Sequence, residues 1–486
     1  MNIIAAADWN RAAFEIPDII GFDDYRLFAR SFAEDLSARA IDRSPDPLTF
    51  FQYPNFKPDK PDNLRQMAVV SAPDLALLRA DAGLIIKVTD PLLSDSVCSY
   101  RLDPWPIPGT AWAFDRRNSW KDRFVAGGIE ILDKAEFPFM CRTDIRKYYP
   151  SIQVDLLRES LLMRGCDAQA VARIFAVLKF WQEFHGLSGL PIGPEPSAVL
   201  SNFFLRPIDN LMGFIAGEYK RYGDDMLMFS VDRPMGEAAT KFLGEELRDL
   251  QLALSLEKTQ CFDDPTEAKA NLRDAEIDYM QDATTYDRGI GLYTVKRSFR
   301  RFLYTAPNDF KPSRWRWVLK YLKNRNESDG CFDLSRRRDL MNIDPKAAAN
   351  YLAVGIRDQR VLTNCMQRLE QPREERFDGL TLHQLRLMSG AKTGKAEAKE
   401  FERIASDQSM PVPTRSWAWA AYAHADGTKP SRLMEAARDE ADPNIRRAIV
   451  ATLKRHSDSS HCRTFLRDEA ERYPANKFTV EWAKAA

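Results

Sequence analysis

The sequence predicts an α+β fold, with a mixed strand-and-helix region over residues 1–300 and an all-α region over residues 301–486. Three observations lead there. Short apolar runs bounded by turn residues alternate with amphipathic helical stretches across residues 137–300. Beyond about residue 300 the strand signals fade. In the tail, Pro413, Pro443 and Pro474 recur about 30 residues apart, each placed to open a helix, because proline's fixed φ and missing N–H suit a first turn.

Taken in order, Asp23 to Ala40 has helical spacing, and Leu84-Ile85-Ile86-Lys87-Val88 is a β-rich run after Gly83. Ser96 to Leu102 reads as a further strand that ends at the proline-rich stretch Pro104–Pro108. Phe137 to Ile145 reads as a strand, and Pro196–Asn210 and Pro234–Leu250 read as helices. In the tail, helix pairs at the proline period suggest a solenoid of the HEAT kind, with irregular helices as the alternative.

Bulk properties narrow the function classes. A chain of 486 residues is long enough for two or three domains, and 44% hydrophobic with 29% charged residues is ordinary for a soluble protein. No apolar run approaches the roughly 20 residues that span a bilayer, so no membrane partner is expected. The start, Met1 to Trp9, lacks the basic region and long apolar core of a signal peptide. Cysteines 98, 141, 166, 261, 331, 365 and 462 show no paired spacing, which favours reduced thiols in the cytoplasm and argues against a zinc site. The formal net charge is +0, which favours a short or unusual nucleic-acid partner over extensive duplex binding.

Chemistry concentrates in two acidic segments. Tyr222-Gly223-Asp224-Asp225 forms a turn followed by the apolar run Met226 to Phe229. Two adjacent carboxylates at a sheet tip repel each other unless a cation lies beside them. Asp144 follows the strand-like run Phe137 to Cys141 and would sit at a second strand end. Two-metal phosphoryl transfer needs carboxylates from separate strands around ions roughly 3.5–4 Å apart. Asp144 and Asp224 are therefore the expected ligands of two Mg²⁺ ions, or of Mn²⁺ in their place, with Asp225 supporting and Ile145 able to add only its backbone carbonyl.

In order along the chain, these segments resemble the reverse transcriptase family. Asp144-Ile145-Arg146-Lys147-Tyr148-Tyr149 resembles its motif A, and Tyr222-Gly223-Asp224-Asp225 its YxDD motif C. Between them, Gly189-Leu190-Pro191-Ile192-Gly193-Pro194-Glu195-Pro196-Ser197, leading to Ser201-Asn202, resembles motif B. Leu254 to Thr259 resembles motif D, whose lysine, here Lys258, is proposed to protonate the pyrophosphate leaving group. The resemblance implies a right-hand polymerase core of fingers and palm. It makes Tyr149 a steric gate against the ribose 2′-OH, favouring dNTPs, and places Gly193 and Ser197 near the substrate. Lys87 and Arg101 are candidates for binding the triphosphate by charge-assisted hydrogen bonds, or else are solvated strand-edge charge. Arg446-Arg447 with Lys454-Arg455 suggests either a basic face for RNA or DNA or a solvated helix face.

The sequence also departs from the family pattern. Ile192 stands where most members have glutamine, Ser197-Ala198 replaces Ser-Pro, and motif E is faint, with Ile277 to Met280 the best candidate. These departures and the helical tail are similar to the abortive-infection and defence-associated reverse transcriptases of bacteria. That branch implies a cytoplasmic homo-oligomer acting against phage. It also implies DNA synthesis without a conventional template, from a protein primer or with a non-coding RNA. The alternatives are a templated, retron-like enzyme copying a dedicated RNA, and a nucleotide-binding assembly scaffold.

Overall fold

The computed structural model describes residues 18–39, 44–54, 64–105, 112–115, 120–134, 136–305, 311–370 and 378–485. Its strands are β1 (Thr49–Pro54), β2 (Leu64–Val69), β3 (Phe139–Asp144), β4 (Glu218–Tyr222), β5 (Asp225–Ser230) and β6 (Gln260–Phe262), among many helices. The fold is α+β with small antiparallel sheets and a helical C-terminal region. Two compact units divide the chain. Of the described residues, the first comprises those within Ala33–Leu48 and Val70–Ala275; the second comprises those within 18–32, Thr49–Val69 and Glu276–Ala486. The boundary expected near residue 300 thus falls inside the helix Arg288–Tyr304 of the second unit.

In the first unit the sheet order is β4-β5-β3-β6, all antiparallel. Because side chains alternate along a strand, Met140, Arg142 and Asp144 share one face with their partners Phe229, Leu227 and Asp225. At the Met140 end this face packs into a core with Ile129, Leu132, Ala268 and Leu272, from the helices Ala126–Asp133 and Pro265–Leu272. At the other end it carries the carboxylates. The opposite face is covered by the helix Arg233–Asp249, where Gly236 sits so close to Phe139 that a Cβ would come within 2.1 Å of that ring. Burial on both faces explains why Met226 to Phe229 is apolar without alternation.

Several expectations change. Leu84 to Val88 is not a strand: it lies in the helix Ala72–Thr89. Leu75, Leu78, Ala82, Ile85, Ile86 and Thr89 recur at helical spacing and are all buried, so the longer period overrides the local β propensity. Ser71 caps that helix by accepting from the Asp74 N–H. Ser96 to Leu102 forms no continuous strand and contributes only single bridges, Val97 to Arg221 and Leu102 to Phe114. Asp23–Ala40 is two helices, Asp23–Leu27 and Ala29–Arg39. Pro196–Asn210 is likewise two, Glu195–Phe204 and Arg206–Ile215, with Pro207 in the first turn of the second. Cys141 and Cys261 are not free thiols. They are direct partners across β3 and β6, with Cα atoms 4.1 Å apart, and are joined by a disulfide. A separation of 120 residues hid that pairing; the other five cysteines are buried thiols. Met1 to Trp9 and residues 106–108 of the proline-rich stretch lie outside the described residues.

Among its described residues the second unit is mainly helical, with the β1–β2 pair packed on the helix Asp378–Met388. Pro413 and Pro443 lie in the first turns of Val412–His424 and Pro443–Thr452, whereas Pro474 opens a 3₁₀ turn before Lys477–Lys484. The motif E candidate, Ile277 to Met280, lies within the helix Ala275–Tyr286. Arg446 and Arg447 form neither a basic face nor a solvated one, because both are buried. Arg447 is buried in ion pairs with Asp18 (2.5 Å) and Asp24 (2.7 Å), and Arg446 stacks on Tyr473, 3.5 Å from the ring centre. Lys454 lies 4.1 Å from the centre of the Trp482 ring. Trp417 and Trp419 are packed inside. Among the described residues no helix is long and apolar enough to cross a membrane.

Candidate functional site

The β4–β5 hairpin turns on Gly223, whose φ of +64° glycine adopts without the Cβ penalty. Its N–H donates to Ser99 Oγ at 2.8 Å, and its carbonyl accepts from Arg221 Nη1 at 3.0 Å. Arg221 is fully buried. It pairs with the equally buried Asp209 at 2.6 Å and donates to Asn202 Oδ1 at 2.9 Å. Asn202 in turn donates to the Ser99 carbonyl at 2.9 Å. A buried ion pair persists only when its remaining hydrogen bonds are met, and here each partner meets another. The turn carrying Asp224 is thus tied from behind by residues of four segments.

Asp144 and Asp225 are direct partners on β3 and β5, and Asp224 stands at the adjoining turn. Burial, then the Asp144 and Asp225 charges, push the Asp224 carboxyl up to about 7. Burial also raises Asp225, opposed by Arg142, which lies 3.4 Å from it and also donates to Asn271 at 3.3 Å. Lys258 forms an ion pair with Asp144 Oδ2, while Asp144 Oδ1 is buried with no hydrogen-bond partner. Lys258 comes from the turn Leu256–Lys258, held to β3 by the Ser255 N–H donating to the Asp144 carbonyl at 2.7 Å.

Among the described residues no group of three or more His, Cys, Asp or Glu comes together as a metal cage. The donor chemistry of the pair Asp144 and Asp224 nevertheless fits a divalent ion. An orphaned carboxylate oxygen and a carboxyl driven up by burial and then by like charge are both relieved by a cation. Asp225 is already engaged by Arg142. The Ile145 side chain is buried, and the bonds bridging its segment to Leu254 run from Arg146 N–H to Ala253 O and from Ser255 N–H to Asp144 O, without the Ile145 carbonyl.

Tyr149 is half-buried, its hydroxyl beside those of Ser201 and Tyr100, and burial pushes it up to about 12. Its carbonyl accepts from the Leu190 N–H at 2.9 Å. At Gly189 (φ +60°) an added Cβ would come within 2.1 Å of that same carbonyl oxygen. The two segments are therefore in backbone contact, and glycine is required there on both counts. Tyr100 leans on the turn, with its ring 6.1 Å from that of Tyr222, and holds a left-handed backbone (φ +52°) that non-glycine residues rarely adopt.

The remaining expected residues are placed differently. Arg101 is committed to its own loop, pairing with Asp90 at 2.9 Å and donating to the Ser94 carbonyl at 3.0 Å. Lys87 is exposed on the last turn of Ala72–Thr89, on a helix rather than a strand edge. Gly193 has φ +123° just before the helix Glu195–Phe204, and Ser197 is buried within that helix at 2% exposure, with its N–H on the Pro194 carbonyl. The site residues that sequence reasoning missed are Tyr100, Arg142, Asp209 and Arg221. Arg221 lies on the same side of its strand as the buried Tyr219, a placement that only the structure reveals.

No protein-family model matches this chain, and no curated protein matches it.

Proposed function

We propose that the first unit is a nucleotidyltransferase that builds DNA from dNTPs, with a reverse-transcriptase-like palm. The observation that carries this reading is the pairing of Asp144 with Asp225 across two strands, beside a tied turn that presents Asp224. Divalent ions on Asp144 and Asp224 would lower the pKa of an attacking primer hydroxyl and neutralise the triphosphate. Lys258, already at Asp144, is a cation within the site and the proton donor for departing pyrophosphate. Tyr149, braced by Ser201 and Tyr100 and bonded to Leu190, stands as the ring that excludes a ribose 2′-OH. Arg142 holds Asp225 so that its charge is balanced without an ion.

The wider reading follows from the motif resemblance. It comprises phage defence, a homo-oligomer in the cytoplasm, and synthesis primed by protein or assisted by a non-coding RNA. The test is to incubate the purified protein with labelled dNTPs or NTPs and Mg²⁺, and to sequence any product. Mg²⁺-dependent DNA with little RNA is expected, of homopolymeric or random sequence. A faithful copy of one RNA would make the enzyme templated, and no incorporation from any nucleotide would overturn the reading.

A further inference from the structure

The chain is neutral overall, but its charge is not evenly spread. Residues 288–325 hold eleven Lys or Arg against a single acid, Asp309. The described parts of this stretch are mainly two helices of the second unit, Arg288–Tyr304 and Pro312–Asn324. They are joined by ring packing: Phe299 stacks on Trp315 at 5.7 Å, and Phe302 meets the same indole edge-on at 5.4 Å.

The first helix has two unlike faces. Gly291, Val295, Phe299, Phe302 and Leu303 are buried. Ile290, Tyr293, Arg297, Arg300, Arg301 and Tyr304 recur at helical spacing on the opposite side, within a sector of about 100°. All six are exposed, with Tyr293 at 69% and Tyr304 at 90%. From Ile290 to Tyr304 the stripe runs about 21 Å. Acids from neighbouring segments meet part of the charge: Glu276 pairs with Arg314 and loosely with Arg301, and Glu327 and Asp329 pair with Lys296. Arg297, Lys320 and Lys323 have no ion partner among the described residues.

We propose that this stripe binds single-stranded nucleic acid. Arginines interleaved with exposed aromatic rings match an unpaired strand, whose phosphates answer the cations and whose bare base faces stack on the rings. A duplex would offer the phosphates but hide the base faces. A lipid surface would call for a deeper apolar stripe than Ile290 alone provides. The binding assignment is independent of the catalytic reading.

The test is titration of the full-length protein with a fluorescent oligothymidylate of roughly 16 nucleotides, the upper site size for such surfaces, across a salt series. Combined Arg297→Ala, Arg300→Ala and Arg301→Ala is expected to flatten the slope of log affinity against log salt by about 2. Combined Tyr293→Ala and Tyr304→Ala should weaken binding about tenfold per ring with the slope unchanged. These side chains are exposed, so unchanged melting temperatures are expected alongside. Asp224→Ala should bind as the wild type does. Wild-type affinity in both surface variants would overturn the proposal. So would stronger binding of a duplex of equal length, or of phosphatidylserine vesicles.

Discussion

Burial and two neighbouring carboxylates, Asp144 and Asp225, keep the Asp224 carboxyl protonated to about pH 7 in the metal-free chain. A carboxyl whose folded pKa exceeds its unfolded one binds its proton more tightly in the native state. The stabilisation this gives is complete below the ordinary value of 3.8 and is lost as the pH rises to about 7. In EDTA, the wild-type melting temperature is therefore expected to fall across that window relative to Asp224→Asn, which cannot titrate. Parallel pH profiles for the two proteins would mean that Asp224 ionises like an exposed carboxylate. Asp81 and Asp442, buried acids whose raised pKa values have causes other than Asp224, act on both proteins alike and cancel in the comparison.

At the scale of elements, the Tyr149 segment and Gly189-Leu190 are in direct backbone contact. Gly189→Ala asks for a left-handed alanine and drives its methyl into the Tyr149 carbonyl. A loss of about 1–3 kcal/mol is expected in denaturant unfolding, with Tyr149 released from its seat. If nucleotide is read there, the ratio of NTP to dNTP incorporation rises with it. A stability matching the wild type would show that this contact does not hold the two segments. The strand Phe139–Asp144 and the helix Arg233–Asp249 were legible because apolar period and turn residues agree over their length. The helix Ala72–Thr89 was misread because Leu84 to Val88 is locally β-branched, while its period shows only over the full 18 residues. Arg142 and Arg221 look in sequence like ordinary strand charges. Their roles depend on Asp225 and Asp209 being brought beside them, which no local pattern encodes.

At the scale of the whole molecule, a net charge of zero conceals local asymmetry. The arginine pair at 446–447 looks like a nucleic-acid face, yet Arg447 is spent on Asp18 and Asp24 at the far end of the chain. The stretch 288–325, unremarked as a motif, carries the exposed cations instead. The scattered cysteines likewise concealed one cross-strand disulfide, Cys141–Cys261. What the sequence did disclose was the acidic pair of segments, because Asp144 and the Tyr222 turn each sit at a strand end and β3 and β5 are neighbours. The most direct test of that pairing as a catalytic centre is dNTP incorporation with Mg²⁺ at pH 8 by wild-type protein and Asp224→Asn. Incorporation by the wild type and a loss of at least about 100-fold in the variant are expected. Equal incorporation by the two proteins would contradict the assignment of Asp224 to the chemistry.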